Sequence, residues 1–506
     1  MNLGQRARMR PVLYPAAILV ALVLDFLVVT GVSPYAAGRP LIVAVGIGLL
    51  LPWLAGLATA DRDRAGVLGL ILILIALTAA TPAALLGVVA FTLVALQPFF
   101  VRRAAPFVAG PRSGSQLATR VLTIVSVILL VAVGIQAVQL GRLPVFAQDL
   151  VAESPLRAHL VAAGPTPPGA PNMVFIMLDG YPRADKLLSE FGIDNSAFVG
   201  DLRARGFVVA DHSRSNETDT EMTLTQLFNY YPASEIASLL SGPPPLWRIK
   251  INDGAFFDDL HRLGYETVAV SPGFEDVALR RADVFVDTGQ LNEFEWNMIE
   301  RTGLSTLADV VLPDLAADQD RSRILDAFQV AEDQARTLGT SRKFVFVHVV
   351  SPHSPQVFDA AGQPLALPGF VLPYDTNQEI SRFGLTEYAA RLRGQLSFLN
   401  EHTLQLVDTV VRTDPGAVVV VFSDHGSGAP SRAPGPTPPY ADLRTANLLA
   451  VRSPGRTGII DDRSTLANLV PRLLRAYTGT GPADVPETIF DWTGDPATSF
   501  FFQRPD

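Results

Sequence analysis

MVFIMLDG, residues 173–180, is six apolar residues closed by an acid and a glycine. An apolar run of this length, without alternation, suits a strand covered on both faces, as in a parallel sheet. The same form recurs at Thr267–Val270 (TVAV), Phe344–Val350 (FVFVHVV) and Ala417–Phe422 (AVVVVF). Helical stretches lie between the runs. In Tyr388–Val411, for example, Leu392, Leu396, Leu399, Leu404 and Leu406 approximate an amphipathic pattern. Strands alternating with helices predict an α/β domain with a mostly parallel central sheet. In such sheets the chemistry gathers beyond the carboxyl ends of the strands. Three runs end in residues suited to it: Asp179, His353 in SPHSP, and Asp424-His425 in SDHG.

Upstream of the first run the composition changes. Residues 142–171 read as a connector, and GPTPPGAPN (164–172) makes its end a stiff linker. Residues 1–141 are dominated by Leu, Val, Ala and Ile. A bilayer span needs about 20 mostly apolar residues. Pro11–Val32, Pro40–Ala60 and Arg120–Leu140 satisfy this. Gly66–Phe100 carries no charge and is too long for one comfortable span, with Thr81-Pro82 near its middle. Proline disfavours continuation, so two helices are expected, at 65–80 and 82–101, with a single kinked helix as the alternative. Five spans put Arg6, Arg8, Arg10, Arg62, Arg64, Arg102, Arg103, Arg112 and Arg120 on the cytoplasmic side, leaving Arg39 and Arg142 near the outer ends. That asymmetry satisfies the positive-inside rule, and an odd number of spans exports the C-terminal part of the chain. The expected organisation is a five-helix transmembrane domain (1–141), a connector (142–171) and an extracytoplasmic catalytic domain (172–506) in the plasma membrane. The spans serve as an anchor, or they help to present a lipid-linked substrate.

The net charge of −9 disfavours nucleic acid, whose phosphates want clustered Lys and Arg. The chain has no cysteine, which excludes disulfides, Cys-ligated zinc, iron–sulfur clusters and thiol nucleophiles.

Asp179 and Asp424 through carboxylate oxygen, with His425 through an imidazole nitrogen, can hold a divalent cation and leave a position open. Singly, each is weak, because an Asp at a strand end is commonly a cap and a DH pair is commonplace. Their sequence setting is more telling. FIMLDG (175–180), SRSNETDTEMTL (213–224), FVHVVSPHSP (346–355) and VVVVFSDHG (418–426), in that order, resemble the sulfatase-like hydrolase/transferase group of the alkaline-phosphatase superfamily. The preceding spans also resemble the membrane part of lipoteichoic acid synthases and phosphoethanolamine transferases. The resemblance covers about residues 172–490.

The resemblance implies a Ser, Thr or modified Cys nucleophile that binds the metal and is transiently phosphorylated or sulfated. True sulfatases carry a Cys- or Ser-x-Pro-x-Arg motif, which the expected segment lacks. This favours a threonine alkoxide attacking phosphorus. Thr218 and Thr220 are the candidates, with Thr223 downstream. Leu224, Leu227, Phe228 and Tyr231 predict a helix starting near 219–221, whose N-terminus would stabilise an alkoxide or phosphoryl group. Residues two apart on a helix point about 200° apart, so both hydroxyls cannot readily face one metal. Thr220 is preferred by its S-N-x-x-x-T spacing in the resembled family, and Thr218 is the alternative by its spacing to Leu224. Either hydroxyl could instead cap the helix.

The resemblance places His353 against the transferred group, as a hydrogen-bond donor or an aid to the leaving group. His348, inside its strand, is expected behind the ligands. His212 is expected at the surface, and His159, His261 and His402 receive no role. One divalent metal ion is expected, with Mn²⁺ or Mg²⁺ favoured for an oxygen-rich set and Zn²⁺ compatible. Gly426–Tyr440, rich in proline, is expected as a loop bordering the site, with Arg432 available to an anionic substrate. The expected activity is phosphoryl-group transfer or phosphodiester hydrolysis on a lipid-linked or envelope glycan substrate. The alternatives are a sulfatase acting through an unmodified hydroxyl and a non-catalytic membrane protein that retains the fold.

Overall fold

The computed structural model describes residues 12–30, 34–59, 61–78, 112–139, 170–232, 251, 254–339, 341–367, 369, 372, 374–429, 439–491 and 500–503. The chain forms two compact units. One takes Met1–Gln148 with Leu291–Leu315 and Gly369–Val371, and the other takes the remainder.

The first unit is helical. Its N-terminal helices are α1 (Tyr14–Thr30), α2 (Gly38–Thr59), α3 (Arg62–Leu77) and α4 (Arg112–Gln139). The windows Gly38–Leu57 and Gln116–Val138 are long and apolar enough to cross a membrane, whereas Tyr14–Val29 is apolar but shorter. The helices overlap the expected spans at 11–32, 40–60, 65–80 and 120–140, while the expected helix at 82–101 lies outside the described residues. Helix α4 starts at Arg112, earlier than expected. Hydropathy marks only the apolar part of a helix, and Ser, Gln and Thr lengthen it at small cost. The turn between α2 and α3 is closed by Asp61, whose carboxylate accepts from Asp63 N and Arg64 N at 3.0 and 3.2 Å.

Leu291–Leu315 joins this unit from the middle of the later sequence. Asn292 opens α5 (Glu293–Glu300) with a capping box to Glu295. Its side chain donates to Ala36 O at 3.0 Å, and Arg39 donates to Glu295 at 2.6 Å. Phe294 is fully buried, edge-on to Phe26 at 5.2 Å between ring centroids. A second short helix, α6 (Leu304–Val311), begins where Gly303 N donates to Leu77 O at 2.8 Å.

The second unit is an α/β domain around a seven-stranded sheet. The strands are β1 (Met173–Leu178), β2 (Val208–Val209), β3 (Glu266–Val270), β4 (Val284–Val286), β5 (Lys343–Val349), β6 (Val418–Phe422) and β7 (Leu449–Arg452). They lie in the order β2-β7-β6-β1-β5-β3-β4. The β6-β1-β5-β3-β4 part is parallel, but β7 runs antiparallel to both β6 and β2. The sheet is therefore mixed. A small hairpin of β8 (Thr488–Asp491) and β9 (Phe500–Gln503) forms separately.

β1 is central, every residue of it is buried, and Phe175 packs edge-on to Phe344 and Phe422. Helices of this unit include α7 (Leu315–Ala335) and α8 (Leu385–Thr413), the latter burying Leu392, Leu396, Leu399 and Leu406. Parallel pairing of β1 with β5 and β6 brings all three carboxyl ends to one edge. That edge holds the site.

Candidate active site

Asp179 follows β1 in a turn made possible by Gly180, whose φ is +68°. A Cβ on Gly180 would stand in ordinary contact with His425 Cε1 at 3.4 Å and His353 Cα and Cδ2 at 3.7 Å, so it is the positive φ that favours glycine there. Asp424 and His425 follow β6. Ser423 Oγ accepts from Tyr181 N at 2.8 Å and donates to His425 O at 2.6 Å, tying the β6 turn to the β1 turn. Gly426 permits a still closer approach. A Cβ there would lie 2.2 Å from Leu443 O.

Asp179, Asp424 and His425 are all buried, and each offers a ligand atom within 4.8 Å of the others. His425 Nε2 is 3.3 Å from Asp424 Oδ2 and 3.8 Å from Asp179 Oδ1. Both of those carboxylate oxygens are buried without a hydrogen-bond partner. His425 Nδ1 faces Gly426 O at 2.8 Å, and a carbonyl only accepts, so Nδ1 carries the proton and Nε2 a lone pair. Burial, reinforced by the Arg444 charge and opposed by Asp424 and Asp179, holds the His425 imidazole below its ordinary pKa and hence neutral. Two carboxylate oxygens and a lone pair thus converge in a buried site, an arrangement costly by itself and favourable around a cation. Ligands about 2.0–2.2 Å from one ion at tetrahedral angles stand about 3.3–3.6 Å apart. The residues therefore fit a divalent cation.

The nucleophile candidates separate at the same point. The helix Thr220–Asn229 lies between β2 and β3 and starts within the expected 219–221. Thr220 Oγ1 lies 3.5 Å from His425 Nε2, long for a hydrogen bond but right for two ligands of one ion. The Thr218 hydroxyl instead donates to Asp219 at 3.2 Å, and the Thr218 carbonyl accepts from Arg444 Nε at 2.6 Å. Thr223 donates to Asp424 O at 3.2 Å, fastening the helix to the β6 turn. Burial and the charges of Asp219, Asp276 and Asp179 push the neighbouring Glu221 carboxyl up to about 7. This acidic field also suits a cation.

His348 touches the site from behind. Its Nε2 donates to Asp179 Oδ2 at 3.0 Å. Burial would raise the Asp179 carboxyl, but this bond, with the His353 and His348 imidazoles beside it, outweighs that, so the carboxyl is held well below the usual carboxylate range. His353 is held by its backbone N donating to Asp179 O at 2.9 Å and by Nδ1 donating to Ser354 O at 2.9 Å, leaving Nε2 for other partners. Its ring centroid is 6.4 Å from that of His425. His212 is exposed and paired with Asp462 at 2.6 Å, His261 pairs with Asp283, and His402 packs among Phe328 and Phe398. His159 and Arg432 lie outside the described residues.

Arg444 is the residue that sequence reasoning missed. It follows the proline-rich segment within Pro439–Thr445 and carries no local signature, yet its bond to the Thr218 carbonyl sets the chain leading into Thr220.

Residues 171–494 match the family described as sulfatase. No curated protein matches the chain. Similar solved structures include the zinc complex of the C-terminal periplasmic domain of EcEptC from Escherichia coli, at 14% identity, covering 68% of this chain and 94% of that one with a TM-score of 0.42. The integral membrane lipooligosaccharide phosphoethanolamine transferase A from Neisseria meningitidis is 15% identical, covering 91% of this chain and 94% of that one with a TM-score of 0.37. A protein of glycosaminoglycan metabolism from Bacteroides thetaiotaomicron is 13% identical, covering 60% and 72% respectively with a TM-score of 0.36.

Proposed function

The chain belongs to the sulfatase family, and from that premise we propose that it is a membrane-anchored, metal-dependent phosphoryl-group transferase or phosphodiesterase with Thr220 as nucleophile. The observation that carries the reading is the meeting of Thr220 Oγ1, Asp179, Asp424 and His425 Nε2 at one buried point. A divalent cation held there, Mn²⁺ or Mg²⁺ by the oxygen-rich set and Zn²⁺ compatibly, would lower the pKa of the Thr220 hydroxyl and offset charge on the transferred group.

The protein's own groups do the rest. Thr220 opens its helix, and the Asp219 cap side chain makes no bond to the first turn, so backbone N–H groups and the helix dipole favour negative charge there. Thr220 Oγ, its proton released to water, forms the new bond to phosphorus as the bond to the leaving oxygen breaks. As an imidazolium, with Nδ1 donating to Ser354 O, His353 would use its Nε2–H to hold a non-bridging oxygen or to pass a proton to the leaving oxygen. Water or a hydroxyl of an envelope glycan then takes the phosphoryl group from the threonine, restoring the free hydroxyl. The absence of cysteine and of a Ser-x-Pro-x-Arg motif supports phosphorus over sulfur.

The helical part supports anchoring. We read residues 1–141 as five spans with residues 172–506 outside the cell, the arrangement that the arginine distribution favours. Turnover of a chromogenic phosphodiester by the full-length protein, followed by mass spectrometry of the trapped enzyme, tests the activity. Phosphothreonine at 220 is expected. Turnover of an aryl sulfate in place of the phosphodiester would refute the reading.

A further inference from the structure

Helix α6 (Leu304–Val311) has no buried residue, and three of its apolar side chains are exposed. Leu307, Val310, Val311 and the following Leu312 are 53%, 78%, 62% and 53% exposed. At about 100° per residue, Leu307, Val310 and Val311 fall within an arc of about 100°, while Asp309 lies on the opposite side. Scattered apolar residues on a surface mean little, but three together on one helix face, with a fourth just beyond its end, do not belong in water.

The position of this face indicates its cover. Helix α6 starts at the hydrogen bond from Gly303 N to Leu77 O, the end of α3. Its predecessor α5 is fixed to Ala36, in the turn between α1 and α2, and to Arg39 at the start of α2. The ends of three N-terminal helices and the start of α6 therefore share one level. Val29 and Leu74, within the last turn of α1 and α3, are themselves 49% and 43% exposed, so those helix ends carry exposed apolar residues as α6 does.

We infer that α6 is an interfacial helix that seats Leu307, Val310, Val311 and Leu312 in the leaflet bordering the ends of α1 and α3. The inference rests on the membrane reading of α1–α4. The partner is a lipid surface with neutral headgroups. Glu293, Glu295, Glu300, Asp309 and Asp314 outnumber the single Arg301 in Leu291–Leu315, so anionic lipid adds repulsion. Such a helix holds the segment between α5 and α7 at the depth of lipid headgroups.

The chain has no cysteine, so single-cysteine variants accept one label each. Full-length Val310→Cys, Asp309→Cys and Val127→Cys proteins, labelled with an environment-sensitive fluorophore, would be placed in phosphatidylcholine nanodiscs carrying shallow or deep spin-labelled lipids. Val127 is an exposed residue of α4 and reports the membrane reading alone. The expected result is blue-shifted emission at 310 quenched best by the shallow probe, emission at 309 quenched by aqueous iodide, and emission at 127 quenched best by the deep probe. Lipid quenching at 127 without any at 310 overturns the inference and leaves the membrane reading standing. A blue shift at 310 without lipid quenching marks contact with a second copy and also overturns it. Loss of lipid quenching at 127 overturns both.

Discussion

Replacing His348 by leucine removes the N–H that holds Asp179 Oδ2 at 3.0 Å and leaves that oxygen in an apolar strand environment. A hydrogen bond to a charged group contributes about 1.5–3 kcal/mol. Loss of such support behind a metal ligand weakens metal affinity about 10- to 100-fold, which is about 1.4–2.7 kcal/mol. The assay is calorimetric titration of metal-stripped, full-length protein with Mn²⁺ or Zn²⁺. The pH dependence adds a second readout. Burial pushes the Asp179 carboxyl up, and the bond from His348 is the first of the effects holding it down. Without it the folded pKa rises toward that of a buried acid, so protons compete better as pH falls, and the deficit should be larger near about pH 6 than near about pH 8. His348→Gln keeps an N–H at a comparable reach and should recover most of the affinity. Wild-type affinity in His348→Leu at both pH values would refute the argument that this bond orients Asp179.

Thr220→Ala should lower phosphodiester turnover by at least about 1000-fold with the fold intact, whereas Thr218→Ala should retain most of it; the reverse order in steady-state rates would move the nucleophile to Thr218. Asp424→Asn should reduce bound metal along with rate, read by elemental analysis, and unchanged occupancy would remove Asp424 from the ligand set. Gly426→Ala forces a methyl against Leu443 O and should destabilise the second unit by about 3 kcal/mol in denaturant melts. Burial would raise Asp442, but bonds from Lys186 and Arg214 hold its carboxyl below the ordinary value. Its contribution is therefore full above about pH 4 and lost as pH falls through the depressed value. Asp442→Asn should cost about 1 kcal/mol near neutrality, with the difference from wild type shrinking in acid.

The parts of the fold legible in the sequence were those with one dominant physical signal. The runs at 173–178, 344–350 and 417–422 have no polar alternation, and they are the adjacent, fully covered strands β1, β5 and β6. The polar residues at their ends meet because parallel neighbours end at the same edge. β7 was not legible: LAVR is as apolar as a parallel strand, and direction leaves no mark on composition. β2 and β4 have two and three residues, too few for any period. His348 was visible as a histidine in a strand, but its bond to Asp179 depends on pairing Met177 with His348 across β1 and β5, which local sequence does not encode. Arg444 acts through a backbone carbonyl more than 200 residues away in sequence. The attachment of Leu291–Leu315 to the helical unit was hidden for a related reason, since burial of Phe294 reads the same whatever covers it.

That attachment bears on how the protein can be divided. A truncated fragment beginning after the proline-rich linker would keep Phe294 while discarding Leu19, Val23 and Ala44, which share its apolar cluster. The ring would be left bare to solvent, at a cost of about 2–3 kcal/mol and with a sticky surface besides. Excision of Leu291–Leu315 with a short bridge, rather than a cut at the linker alone, is the division that respects the packing.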